Sequence, residues 1–168
     1  LVERRHGLGN FIINKVQASY FEPLSLSFML NHGTESEIFE MRSCLETYTA
    51  AKAAEIATPS DIRSLRAIAQ QMVSARTPSE KASFDRNLHF EIVRITGNML
   101  MYNIMENVSY LIDRFFEKSV QLSYFKGDSI ENIYKEHEEI ISALERHDSK
   151  AAAAAMEKHL GNIKIAYL

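Results

Sequence analysis

From residue 22 onward the apolar positions recur every three or four residues, and no stretch alternates with the period of two that a strand requires. That spacing predicts helices. The boundaries are marked as clearly as the periodicity. All three prolines stand where a helix would begin: Glu22-Pro23 before "LSLSFML", Thr58-Pro59-Ser60-Asp61 before "IRSLRAIAQQMVSA", and Thr77-Pro78-Ser79-Glu80 before "KASFDRNLHFEIVRIT". A proline at the first helical position forfeits no hydrogen bond. A preceding threonine can accept from a free backbone N–H, and an acid three residues on favours the positive end of the helix. Thr34-Glu35-Ser36-Glu37 reads as a capping box for "IFEMRSCLETYTAAKAAEIA", Asp128…Glu131 opens "NIYKEHEEIISALERH", and Asp148-Ser149 opens an alanine-rich last helix. Gly97 is placed to stop its helix before "MLMYNIMENVSYLIDRFFEKSV". The pattern predicts an all-α fold, an antiparallel bundle of about seven helices joined by short polar loops, the longest being "QLSYFKGDS".

The first twenty residues differ. "LVERRHGLGNFIINKV" places two glycines, Gly7 and Gly9, beside Arg4, Arg5 and His6 and then continues into "NFII". This reads as a β-hairpin tip leading into a short strand, too small to fold alone. The expected division is therefore 1–20, the end of another domain, and 21–168, the helical domain. A chain that begins with Leu reads as a piece of a longer protein.

Composition narrows the class without naming a function. An apolar fraction of 46% and a charged fraction of 24% suit a globular domain with a real core. A net charge of −3 supplies no whole-chain attraction to nucleic acid or an anionic membrane. Cys44 is the single cysteine, so no internal disulfide can form, and a reducing, cytoplasmic location is expected. No apolar run is long enough to span a bilayer.

Chemistry enters where polar residues interrupt apolar stripes. In "SIENIYKEHEEIISALERH", Ile130, Ile133, Tyr134, Ile140, Ile141 and Leu144 form one stripe, and His137 falls in its middle. His159 lies likewise among Ala152, Met156 and Ile163. In "FDRNLHFEIV", Asp85 and His89 sit one step round from Phe84, Leu88 and Ile92; four residues turn the helix by about 400°, which brings the pair onto nearly one face. Each has an ordinary explanation: a core histidine bonded to a carbonyl, or a solvated side-chain contact. Together they would leave three imidazoles and a carboxylate on three helices, each costing about 1–3 kcal/mol if buried without a partner. One divalent cation would satisfy all of them, and this donor set suits zinc, nickel or a related metal. His6, His32 and His147 read as solvated.

A second misplaced charge is Arg42, beside a stripe of Ile38, Met41, Leu45 and Tyr48. A guanidinium directed inward needs an anion. Either a glutamate on a neighbouring helix supplies it, or a bound carboxylate does, held bidentately with its other end at the cation.

The segments "FEMRSCLE", "DRNLHFEIVRITGN", "EHEEIISAL" and "MEKHL", with successive histidines 48 and 22 residues apart, resemble the effector-binding (FCD-type) domain of FadR-type regulators in the GntR superfamily. The resemblance covers about residues 22–168. "LVERRHGLGNFI" is similar to the wing of the winged helix-turn-helix domain that precedes such domains, although Asn10 stands where the family usually has Thr. The resemblance implies a metal held by Asp85, His89, His137 and His159, with zinc expected first and nickel or manganese as alternatives. It implies an effector carboxylate at Arg42, a pocket position at Asn98 (a helix N-cap accounts for Asn98 equally well), and DNA contacts by Arg4, Arg5, Gly7 and Gly9. It further implies operator DNA, a small organic acid and a second copy of the chain as partners, with no membrane and no catalysis. Glu138 and Glu139, next to His137, are either acceptors for an imidazole N–H or solvated surface. Met99, Met101 and Met105 are expected to fill core. Two other functions share the same ligands: a helical metalloenzyme with an open coordination position, and a structural or metal-sensing site with no organic ligand.

Overall fold

The computed structural model of the chain describes residues 2–5, 9–12, 22–115 and 129–167. The chain divides into two compact units, Leu1–Gly33 and Thr34–Leu168. In the first, β1 (Val2–Arg5) pairs antiparallel with β2 (Gly9–Ile12), Val2 opposite Ile12 and Arg5 opposite Gly9. Helix α1 (Glu22–Leu30) belongs to this unit, whereas the sequence had grouped it with the helices that follow. The chain leaves α1 at Gly33, where a Cβ would collide with the Phe28 ring. Glycine permits that close passage.

The second unit is all helix among the described residues: α2 (Glu35–Ile56), α3 (Pro59–Ser74), α4 (Pro78–Ile95), α5 (Met99–Phe115), α6 (Ser129–Glu145) and α7 (Ser149–Tyr167). With α1 this makes seven helices among the described residues, against the about seven that the periodicity predicts. The three Thr-initiated capping boxes all form. Thr34, Thr58 and Thr77 each accept from the backbone N–H three residues on, and the Glu37, Asp61 and Glu80 carboxylates each accept from the cap's own N–H. Such a cap contributes about 1 kcal/mol. Gly97 adopts φ +69°, the left-handed conformation that ends α4, and Asp148 caps α7 by accepting from the Ala151 N–H at 3.0 Å. The expected cap at Asp128 and the loop "QLSYFKGDS" lie outside the described residues, apart from Ser129.

Helix α2 packs along α7 and against α4, α5 and α6, while α3 packs on α4 and α6. Leu65, Met72, Leu88, Ile92, Ile140 and Leu144 are fully buried between them. Ion pairs from Arg66 to Glu145 (2.7 Å) and from Arg94 to Asp61 (3.2 Å) clip α3 to α6 and α4 at the surface, each worth at most about 1 kcal/mol.

The buried face of α2 departs from the expected stripe. Met41 and Tyr48 are 53% and 49% exposed. The face that enters the core carries Ile38, Phe39, Arg42, Leu45, Glu46 and Thr49, followed by small alanines. Two charged residues one helical turn apart have taken core positions that periodicity reserves for apolar side chains, so the stripe read from hydrophobicity is rotated away from the true one. Of the three methionines expected in the core, Met105 is buried and Met101 packs on the Leu45–Val93–Met105 cluster, while Met99 is exposed.

Candidate metal centre

The interrupted stripes of α4, α6 and α7 meet. Asp85 and His89 from α4, His137 from α6 and His159 from α7 are all buried, and one ligand atom from each lies within 4.8 Å of the others. The Nε2 atoms of His89 and His159 are 3.1 Å apart, His137 Nε2 is 3.2 Å from Asp85 Oδ1, and His89 Nε2 is 3.9 Å from the same oxygen. Donors bound at about 2.1 Å to one cation stand roughly 3–4 Å from each other, and these three separations lie in that range.

The outer edges of two imidazoles explain why. Glu46, on α2, accepts from His89 Nδ1, and its other oxygen takes the Nε–H of Arg42. Glu136, on α6, accepts from His159 Nδ1 at 2.7 Å and from the Asn162 amide at 2.6 Å. Protons on both Nδ1 atoms leave both Nε2 atoms as bare lone pairs facing each other across 3.1 Å. That contact is repulsive unless a cation shares it. Asp85 Oδ1 and both ring nitrogens of His137 are buried and find no hydrogen bond; the 3.2 Å approach between Asp85 and His137 is not aligned as one. These orphaned atoms satisfy the donor-set test: carboxylate oxygen and neutral imidazole nitrogen are what a zinc-like divalent ion takes.

Electrostatics keep two of the donors, His159 and Asp85, in the ligating form. Burial pushes the His159 imidazole down to about 4, with Glu136 opposing and the neighbouring His137 and His89 assisting, so the ring is neutral near pH 7. Burial pushes the Asp85 carboxyl up, but His137, His89 and His159 more than offset this and hold it below its ordinary value. Glu46 is likewise penalised by burial, yet Arg42 and His89 bring it down to about 2, and it is an anion.

A comparison of the chain with known families matches the FCD domain over residues 37–162. The chain belongs to the FCD domain family. All four donors, Arg42, Glu46 and Glu136 fall within the FCD match. The chain is 28% identical over 168 residues to the HTH-type transcriptional regulator LutR of Bacillus subtilis (strain 168), covering 98% of this chain and 76% of that protein. It is 25% identical to the Uxu operon regulator of Haemophilus influenzae, spanning 61% of its length and 98% of this chain. Among solved structures, Streptococcus agalactiae GntR superposes with a TM-score of 0.71 at 23% identity, over 98% of this chain and 74% of that one. E. coli McbR/YncC superposes at 0.66 with 14% identity, over 99% and 76%. These two likenesses establish the fold. The resemblance to FadR-type C-terminal domains is borne out, and the relatives are regulators rather than enzymes.

Within the FCD domain the remaining site residues are placed as follows. Arg42 is buried, and the internal acid that the sequence left as one alternative is present: it is Glu46, one turn along the same helix rather than on a neighbour. Asn98 is exposed and its carboxamide oxygen accepts from the Leu100 and Met101 N–H groups at 3.1 and 3.2 Å, capping α5. Glu138 and Glu139 meet cations, Arg66 at 3.6 Å and Lys158 at 2.8 Å, and the histidine acceptors are Glu46 and Glu136 instead. His147 is exposed but not merely solvated: at φ +56° its Nδ1 lies 2.8 Å from the Ala54 carbonyl oxygen near the end of α2. In the first unit, Arg4 and Arg5 lie on β1 and Gly9 opens β2, while His6 and Gly7 lie outside the described residues. No described helix is long and apolar enough to cross a membrane.

Proposed function

We propose that this FCD domain is the sensing half of a transcriptional regulator, in which a divalent cation held by Asp85, His89, His137 and His159 anchors a small organic acid. Zinc is the first choice, with nickel or manganese accepted by the same donors. When bound, the cation would supply a Lewis-acidic anchor for a ligand oxygen, provided its coordination number exceeds the four protein donors, as zinc's does on expanding to five and nickel's or manganese's does at six. Arg42 supplies the cationic partner for the ligand's carboxylate, with its Nε held on Glu46 so that the guanidinium plane is fixed. The observation that carries the reading is the pair of facing Nε2 lone pairs at 3.1 Å beside the orphaned Asp85 and His137 atoms.

Signalling then follows from linkage. An acid that binds two arrangements of the helices unequally shifts the population between them, and about 1–3 kcal/mol of coupling is enough. The β1–β2 pair, which carries Arg4, Arg5 and Gly9, is read together with Gly7 of the same sequence motif as the wing of a winged helix-turn-helix domain. In a homodimer, changed spacing of two such domains alters operator binding. Similarity to the LutR and Uxu regulators supports this assignment.

A second reading has its own support. Because Glu46 already answers the Arg42 charge, the centre can serve as a structural or metal-sensing site with no organic ligand. A thermal-shift screen of small carboxylates, run with zinc and after chelation, separates the two. The effector reading expects at least one acid to raise Tm only when both metal and Arg42 are present. Stabilisation by zinc alone, unaffected by any acid, supports the second reading.

A further inference from the structure

The two imidazoles that donate outward are not held alike. Glu136, behind His159, is shared with Asn162, a neutral amide. Glu46, behind His89, is shared with Arg42, the charged group assigned to the ligand. Both oxygens of Glu46 are thus committed, one to each partner, in a fully buried position where water does not dilute the exchange. We propose that Glu46 is a positioning residue through which anion binding at Arg42 and cation binding at His89 sense each other; this rests on the function proposed above.

The physical chain has three links. By accepting from Nδ1–H, Glu46 fixes the His89 tautomer, so that the Nε2 lone pair faces Asp85 and His159. The stronger Glu46 is as an acceptor, the more basic Nε2 becomes as a ligand. Arg42 competes for the electron density of the same carboxylate, so it moderates that effect. An anion arriving at Arg42 offsets its charge, frees Glu46 to polarise His89 more strongly and tightens the cation. By reciprocity the cation raises affinity for the anion by the same factor, even without direct contact between them. Glu136 performs the tautomer-setting role for His159 without this connection, and so serves as the internal control.

The test uses the full chain and zinc alone as probe. Zinc affinity is measured by competition with a chromophoric chelator for wild type, Glu46→Gln, Glu136→Gln, Arg42→Gln and the combinations of Arg42→Gln with each glutamate change. The histidine tautomers of metal-stripped wild type are read from long-range proton–nitrogen NMR, which needs no variant. Glu46→Gln and Glu136→Gln are each expected to weaken zinc by about 10–100-fold. Arg42→Gln is expected to tighten zinc by about fivefold in wild type and in the Glu136→Gln background, and to leave it unchanged when Glu46→Gln is also present. The metal-stripped wild type is expected to hold His89 as the Nδ1–H tautomer. Arg42→Gln effects of equal size with and without Glu46, no effect or a weakening from Arg42→Gln in wild type, or an Nε2–H His89 overturns the inference alone. A wild type that binds no zinc overturns the proposed centre as well.

Discussion

His137 offers a perturbation whose effect should change sign with the metal. Its side chain is 0% exposed, and neither ring nitrogen has a hydrogen-bond partner within the protein. Each buried orphan costs about 1–3 kcal/mol. Replacing His137 with Leu, of similar size, removes both orphans and adds apolar contact beside Ile133, Ile140 and Ile141. Against this, Asp85 Oδ1 loses the polar neighbour now 3.2 Å away. The net expectation for chelator-treated protein is a gain of about 1–2 kcal/mol, or roughly 3–6 °C in Tm for a domain of this size. With zinc at about 1,000 times its Kd, wild type gains about 4 kcal/mol by linkage, close to 12 °C, while the variant loses most of that gain. The assay is a pair of thermal melts, one with chelator and one with zinc. A variant less stable than wild type by the same amount in both melts would refute the reasoning, because His137 would then be an ordinary packing residue.

Other outcomes follow from the same geometry. Arg42→Gln leaves the buried Glu46 carboxylate without its cation, and urea titration of the metal-stripped protein should show a loss of about 3 kcal/mol, the usual cost of breaking a buried pair. Thr77→Ala removes the α4 capping box, about two helical turns before Asp85 and without contact with the candidate ligands; it should cost about 1 kcal/mol in the same titration and leave zinc affinity unchanged. Acid should destabilise the metal-stripped fold through His159: its pKa, pushed down mainly by burial to about 4, lies below the ordinary 6.5, so the unfolded chain takes the proton first. That contribution is intact above about pH 6.5 and is lost as pH falls from there toward 4, which a series of melts across this range would show.

The helices were legible because their ends are written in local chemistry. Thr34, Thr58 and Thr77 each precede an acid by three residues, and the capping boxes that this spacing requires all form. His137 and His159 were legible because each interrupts an otherwise clean apolar stripe, and the stripe itself places the side chain in the core. Glu46 and Glu136 were not singled out. A carboxylate at the edge of a helix stripe looks the same whether it faces water or a buried imidazole on another helix, and only packing of α2 on α4, or α6 on α7, distinguishes the two. Glu46 did leave a trace: it stands four residues after Arg42, the spacing at which a helical ion pair forms. That trace was obscured by Met41 and Tyr48, whose apolar character suggested the wrong face of α2. Glu136 is one residue from His137, and its direction toward α7 instead of the surface depends on Asn162, far along the chain.

The most direct measurement is an anomalous-difference map at the zinc absorption edge from crystals grown with zinc. The account predicts one peak among Asp85 Oδ1 and the Nε2 atoms of His89, His137 and His159, about 2.1 Å from each. A map with no peak there, or with zinc bound only at surface residues, would contradict it.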